Sequence, residues 1–345
     1  MLLPEADFLR FRKSSRRREN IKAHPNSVLL LRLHRQSLLR GKILLHCAKP
    51  HRFLNAFFGV LNRSARLSNV NRLRPGWVDA HLHLADPRID DPGALVEQAE
   101  AQGIHSFLQG GVGPEDWQRQ RELAQRHHGI LPAFGLHPYW VSDHTADECE
   151  SALDQLAREL PHALALGETG LDFRPHICKD SEARQIACFE AQLEMARVGA
   201  KPVILHLVQA VDEAERVLDL FGAGVRGLVH AFTGSAPQAE AWLKRDLHLS
   251  VGGPVCRPDL TRLHQAVKII PMDRLLLETD SPDQPPPGVV AGHNTPSSLL
   301  LVADKVAEIK GLSRAQVLDK SRENLEKLLY ANQSANHSAN QSTNP

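Results

Sequence analysis

No stretch of this 345-residue chain approaches the roughly 18 consecutive apolar residues of a membrane span, so no segment reads as a transmembrane helix. Aromatic residues make up only 5%, which argues against an aromatic-rich surface for stacking single strands. The five cysteines (Cys47, Cys149, Cys178, Cys188, Cys256) are scattered and form no CxxC pair. Such an odd, unpatterned set reads as reduced cytosolic thiols and not as a disulfide framework. Nothing like GxGxxG follows the first strand-like run, which counts against a dinucleotide-binding sheet. Apolar content of 42% excludes a wholly disordered chain.

Acidic residues are scarce too, but only at one end. Residues 1–74 hold 17 basic and 3 acidic side chains, a net +14, whereas residues 75–345 hold 24 and 37, a net −13. The whole-chain charge of +1 averages two unlike pieces. The basic segment shows no sustained helical or strand period. It reads as an unstructured extension, or as one that is not part of the mature enzyme. A transit peptide for organelle import, a basic arm on nucleic acid, and translated upstream sequence joined to an ordinary domain share this composition. At the other end, residues 331–345 (ANQSANHSANQSTNP) form a disordered Asn/Ser-rich tail by composition.

Between the ends, residues 75–330 alternate short β-rich runs with helical spacers. Eight runs fall at 77–84, 106–110, 130–136, 163–167, 202–207, 227–232, 248–252 and 275–279. Most are near-continuously apolar, as parallel strands buried on both faces should be. Helices are predicted at 147–160, 181–198, 236–244 and 295–309, the last ended by Gly311. Eight strands alternating with helices predict a single-domain α/β fold, a (β/α)8 TIM barrel. A doubly wound open sheet is the second choice.

Barrels of this kind carry their chemistry at the C-terminal ends of the strands. The first run ends Asp79-Ala80-His81-Leu82-His83, and alternation sends His81 and His83 to the same side. Glu168 ends the fourth run, His206 the fifth, His230 the sixth, and Glu278-Thr279-Asp280 the eighth. A single histidine in such a place is more often a hydrogen-bonded core residue than a ligand. Four histidines and two carboxylates at five strand ends are different. Burying them together without a counter-charge would be costly, and a pair of divalent cations is the economical compensation. Nitrogen and oxygen donors without thiolate suit Mg²⁺, Mn²⁺ or Zn²⁺. His137, after the third run, reads as a substrate contact, and the remaining histidines, His248 among them, as surface residues.

The strings VDAHLHL (78–84), GLHP (135–138), GETGLD (167–172), PVILH (202–206), HAFTGS (230–235) and ETDSP (278–282) together resemble the TatD family of metal-dependent hydrolases. Members of that family include magnesium-dependent deoxyribonucleases. The resemblance implies a TIM barrel with two divalent metal ions. It implies that His81, His83, Glu168 and Asp280 hold the first ion, and that His206 and His230 complete the second with a bridging Glu168. It implies hydrolysis of DNA phosphodiesters. A two-ion site lowers the pKa of a bound water towards about 7, and Asp280, at the eighth-strand rim, is the candidate general base, with Glu168 bridging or orienting the ions. Two departures stand out. His206-Leu207-Val208 replaces the usual His-x-Arg, and His293-Asn294-Thr295-Pro296 replaces Arg-Asn-Glu-Pro. Both remove an arginine suited to gripping phosphate. The alternatives are a two-metal hydrolase of a small ester or amide and, more distantly, a non-catalytic binding barrel. The expected partner is DNA, with no membrane and no obligate protein partner, and the expected location is the cytoplasm.

Overall fold

The computed structural model describes residues 72–341, with side chains through Ala331 except that of Ala223. All but the last three residues of the expected 1–74 extension lie outside the described residues. The strands are β1 (Trp77–Leu82), β2 (Ile104–Gln109), β3 (Ile130–Leu131), β4 (Ala133–Phe134), β5 (Ala165–Asp172), β6 (Val203–Val208), β7 (Gly227–Val229), β8 (Leu247–Val251) and β9 (Leu275–Leu277). The helices are α1 (Pro92–Glu100), α2 (Pro114–Arg126), α3 (Pro138–Asp143), α4 (Ala146–Glu159), α5 (Pro175–Cys178), α6 (Glu182–Gly199), α7 (Val211–Phe221), α8 (Ala236–Leu243), α9 (Thr261–Ile269), α10 (Leu299–Lys310) and α11 (Arg314–Gln341).

Every pairing is parallel and joins neighbours in chain order: β1-β2-β3 in one sheet, β4 through β9 in the other. The third run, expected to be one strand, is two. Pro132 stands between β3 and β4 and has no N–H to give to a ladder, so the run is interrupted there. Its carbonyl still accepts from Leu164 N at 2.8 Å. On the far side, Asp280 N donates to His81 O at 3.0 Å and His83 N to Ser281 O at 2.7 Å. Asp79 accepts from both Thr279 N and Thr279 Oγ1, at 3.0 and 2.5 Å. These bonds link the continuation of β9 back to β1, the arrangement of a (β/α)8-type barrel.

Local chemistry sets the helix ends. Thr145 and Glu148 form a reciprocal capping box at α4. Pro296 begins a short 3₁₀ turn, so α10 starts at Leu299 and not at the expected 295. Gly311 ends it in the left-handed region (φ +66°). The backbone of α11 is helical to Gln341, and the rest of the expected tail, residues 342–345, lies outside the described residues.

One end of the barrel is filled with hydrocarbon. Val78, Ala80, Leu108, Leu131, Ala165, Ile204, Leu228 and Leu276 meet Leu325, Leu328 and Leu329 of α11 in one buried cluster. Polar bonds anchor the same helix: Asn324 Nδ2 donates to Leu275 O at 2.8 Å, and Ser321 Oγ accepts from Leu277 N at 2.9 Å. With that end plugged, chemistry is left to the other. Leu325→Ala should therefore destabilise the domain by about 2–5 kcal/mol through the cavity it opens. The check is the urea midpoint; an unchanged midpoint would show that α11 does not seal the barrel.

Candidate metal centre

The plugged end leaves the C-terminal strand ends as the place where polar side chains converge. Glu168 lies in β5, its backbone fixed by close contact with the loop after β2. Glu168 N donates to Gly111 O at 2.8 Å, and Gly111 N to Gly167 O at 2.9 Å. A Cβ on Gly111 would lie 2.5 Å from Gly167 O, so only glycine permits this approach. Gly110 clears space in the same way. A Cβ there would sit 2.5 Å from His81 Cε1, 2.6 Å from His83 Cε1 and 2.7 Å from Glu168 Oε1.

The donors divide between the two oxygens of Glu168. On the Oε1 side stand His83 Nε2 at 2.9 Å and His81 Nε2 at 3.4 Å, each also 3.5 Å from Asp280 Oδ1. On the Oε2 side stand His230 Nε2 at 2.7 Å and His206 Nδ1 at 3.5 Å, themselves 3.0 Å apart. His81 lies near both sets, its ring centroid 4.3 Å from that of His230. Ligands about 2.1 Å from one ion stand roughly 3.0–3.4 Å from one another in octahedral or tetrahedral geometry, close to most of these spacings.

The pattern of unmet hydrogen bonds agrees with that. Both oxygens of Glu168, both nitrogens of His81 and Nδ1 of His230 are buried with no hydrogen-bond partner. A buried carboxylate left so is expensive unless a cation serves it. Burial would raise the Glu168 pKa, but the imidazoles of His230, His81, His137 and His83 outweigh it and hold the carboxyl well below its usual range. Asp280 is likewise held low, against its burial, by His81 and His83. The donor set thus fits divalent cations.

A second layer orients the donors. His206 Nε2 donates to Asp172 Oδ2 at 3.0 Å, which leaves Nδ1 as the lone pair facing Glu168. Asp280 sits in the left-handed region (φ +55°), uncommon for aspartate, and Gln284 Nε2 holds its Oδ2 at 2.8 Å. Asn294 Nδ2 donates to both Thr279 O and Asp283 O at 2.8 Å, pinning the loop on either side. Glu278 is fully buried and accepts from Ala231 N at 2.5 Å; burial pushes its carboxyl up to about 8.

The seven residues singled out from the sequence are all brought together here. His137 differs from the others in its proton. Its Nδ1 accepts from Tyr139 N at 3.0 Å, so the neutral ring carries its hydrogen on Nε2, which faces His206 Nδ1 at 3.2 Å. Burial and the neighbouring His206 keep its pKa well below the usual value. It meets the site as a neutral donor. Asp172 and Glu278 were not singled out, although both sit at strand ends among the noted motifs. His248, expected at the surface, is buried in β8 with its pKa lowered to about 4 by burial.

The sequence pattern of TatD-related DNases matches residues 78–330. An uncharacterized metal-dependent hydrolase of Bacillus subtilis, YabD, is 32% identical over 256 residues, which is 74% of this chain and 99% of that protein. A 3'-5' ssDNA/RNA exonuclease TatD of Erwinia billingiae is 35% identical over 228 residues, 64% of this chain and 86% of its own. The crystal structure of the TatD homolog YjjV from Escherichia coli superposes with a TM-score of 0.67 at 27% identity, covering 73% of this chain and 97% of that one. The fold and site define a barrel hydrolase with a buried His/carboxylate centre. The chain belongs to the TatD-related DNase family.

Gly110→Ala should lower affinity for Mn²⁺ about tenfold or more by pushing His81, His83 and Glu168 apart, the scale typical of changes just outside a metal's ligands. Calorimetric titration reads it, with the thermal midpoint as a folding control. Unchanged affinity would mean the cluster does not bind metal as a unit.

Proposed function

We propose that this chain is a metal-dependent nuclease that hydrolyses phosphodiester bonds of single-stranded DNA. The observation that carries the reading is the division of donors between the two oxygens of one buried carboxylate, which suits two divalent ions (Mg²⁺, Mn²⁺ or Zn²⁺). His81, His83, Asp280 and Glu168 Oε1 would hold one, and His206, His230 and Glu168 Oε2 the other. Bound there, the ions would supply Lewis acidity and make a water acidic enough to ionise near neutral pH. The curated relatives named as ssDNA/RNA exonucleases support the substrate class.

The chain's own residues divide the remaining work. Asp280 accepts the proton of the attacking water at Oδ1, while Gln284 holds Oδ2 and fixes the carboxylate plane. Glu168 keeps the two donor sets at a constant separation. His137 offers Nε2–H to an oxygen of the substrate phosphate, where negative charge builds as the bond breaks. None of the proposed donors is a cysteine, which argues against a structural zinc, and the scattered, unpatterned cysteines support a reducing compartment such as the cytoplasm. Among the described residues, no helix is long and apolar enough to cross a membrane.

A second reading keeps the centre and changes the substrate to a small ester or amide. It is favoured by half-buried Leu207 and Val208 beyond His206, which present hydrocarbon and no charge. Degradation of a labelled single-stranded oligonucleotide, compared with hydrolysis of aryl esters, each with and without EDTA, separates the readings. EDTA-sensitive shortening of the oligonucleotide is expected, and ester hydrolysis alone would replace the first reading with the second. Asp280→Asn should retain the fold and lower turnover roughly 10²–10⁴-fold, the usual contribution of a positioned base. Unchanged turnover would remove Asp280 from the proton transfer.

A further inference from the structure

We infer that Arg174, set against Tyr139 at the edge of the metal centre, is the cation that grips a phosphate of the substrate strand. The inference rests on the nuclease reading and names a residue that determines its preference for nucleic acid. A polyanion approaching a domain with a net charge of −13 needs a local cation. Among the described residues, Arg88 and Arg174 each closely follow a donor-bearing segment of the chain, and they are not equal. Arg88 is clamped between Asp86 and Asp283, so that group is net negative. Arg174 shares one carboxylate, the fully buried Asp172, and is itself only partly covered, at 31% side-chain exposure.

The geometry leaves Arg174 a free edge. Its Nε and Nη2 donate to Asp172, at 3.0 and 2.6 Å, and Nη2 also donates to the Tyr139 hydroxyl. Nη1 has no hydrogen-bond partner among the described residues. The guanidinium carbon lies 5.4 Å from the Tyr139 ring centroid, which holds the planar group in place. Tyr139 packs edge-on against two rings of the centre, 4.4 Å from His137 and 5.6 Å from His206 between centroids. Because its oxygen accepts from Arg174, its own O–H remains available to donate. Nη1 and the tyrosine hydroxyl therefore make a pair of donors beside Tyr139, whose ring borders the centre. A charge-assisted bond of this kind suits a phosphate oxygen.

Asp172 also orients His206, so Arg174 has a second route to the centre, and the test must tell binding from positioning. Three measurements serve on the full chain: KM and kcat for a single-stranded oligonucleotide with Mn²⁺, anisotropy binding of the same labelled strand in Ca²⁺ across a salt series, and Mn²⁺ content. For Arg174→Gln, KM and the dissociation constant should rise about tenfold or more, with kcat and Mn²⁺ content retained. The slope of log affinity against log salt should fall by about 0.7, the loss of one single-strand phosphate contact. Arg174→Lys should restore the slope but not the full affinity, and Tyr139→Phe should weaken binding while leaving the slope unchanged. An unchanged KM and slope in Arg174→Gln would overturn the inference. So would a fall in kcat or Mn²⁺ content with KM unchanged, which would make Arg174 a positioning residue for Asp172 and His206. A wild-type chain that neither binds nor shortens the strand would instead remove the nuclease reading itself, and this inference with it.

Discussion

Five imidazoles stand within 3.7 Å of the Glu168 carboxylate, and neither of its oxygens is the acceptor of a hydrogen bond. The rest of the barrel is arranged around that crowding. A buried anion without donors is tolerable only if positive charge reaches it. The chain supplies neither lysine nor arginine to Glu168 in any ion pair among the described residues. The strand ends instead bring nitrogen donors to spacings that neighbours around a common ion would have. Glycine at 110 and 111 keeps the loop after β2 from filling the space, and α11 closes the opposite end with leucine so that the polar groups gather at one mouth.

Closing the barrel and shaping the centre are one event at the junction of β1 and β9. Asp79 accepts from Thr279, and Asp280 N bonds to His81 O in the next step along the chain. Burial raises the Asp79 carboxyl to about 7, against the pull of the Thr279 bonds, so desolvation is a real cost at this seam. The return is placement. The same bonds that join first and last strands set His81 and Asp280 on one side of Glu168. A change that loosens the seam therefore acts on fold and chemistry together, whereas a change at Asp172 acts on the orientation of one imidazole and of the Arg174 guanidinium.

Strands and donors were legible in the sequence for a common reason. A strand buried on both faces reads as a continuous apolar run, and a polar residue ending such a run has little reason to be there unless it is used. What the sequence concealed was relative geometry. Pro132 splits the third run, which apolar content alone did not reveal. Asp172, Glu278 and Asp280 are all carboxylates at or just beyond strand ends, and nothing local tells an ion-facing one from a supporting one. The distinction depends on register and on the left-handed backbone at Asp280. Alternation could place His81 with His83, but only the Tyr139 N–H bond to Nδ1 shows that His137 presents a proton and not a lone pair. His248 was misjudged because it begins a strand, away from the chemical end, yet a parallel strand under helices is buried along its length.

Charge gives the centre its remaining constraint. With −13 on residues 75–345, long-range attraction cannot draw a nucleic acid to the barrel, and affinity must come from contacts made within a few ångströms. The basic residues near the mouth do not form an open patch: Arg88 and Arg174 are each engaged by aspartate. Such pairing holds a guanidinium in one orientation, so less freedom is lost when a phosphate arrives than a solvated lysine would lose. It also lowers the attraction for anions in general. A site built this way trades reach for discrimination. On the nuclease reading, such a site would engage a strand whose phosphate can enter as far as Tyr139, whose ring lies under the Arg174 guanidinium and packs edge-on against His137.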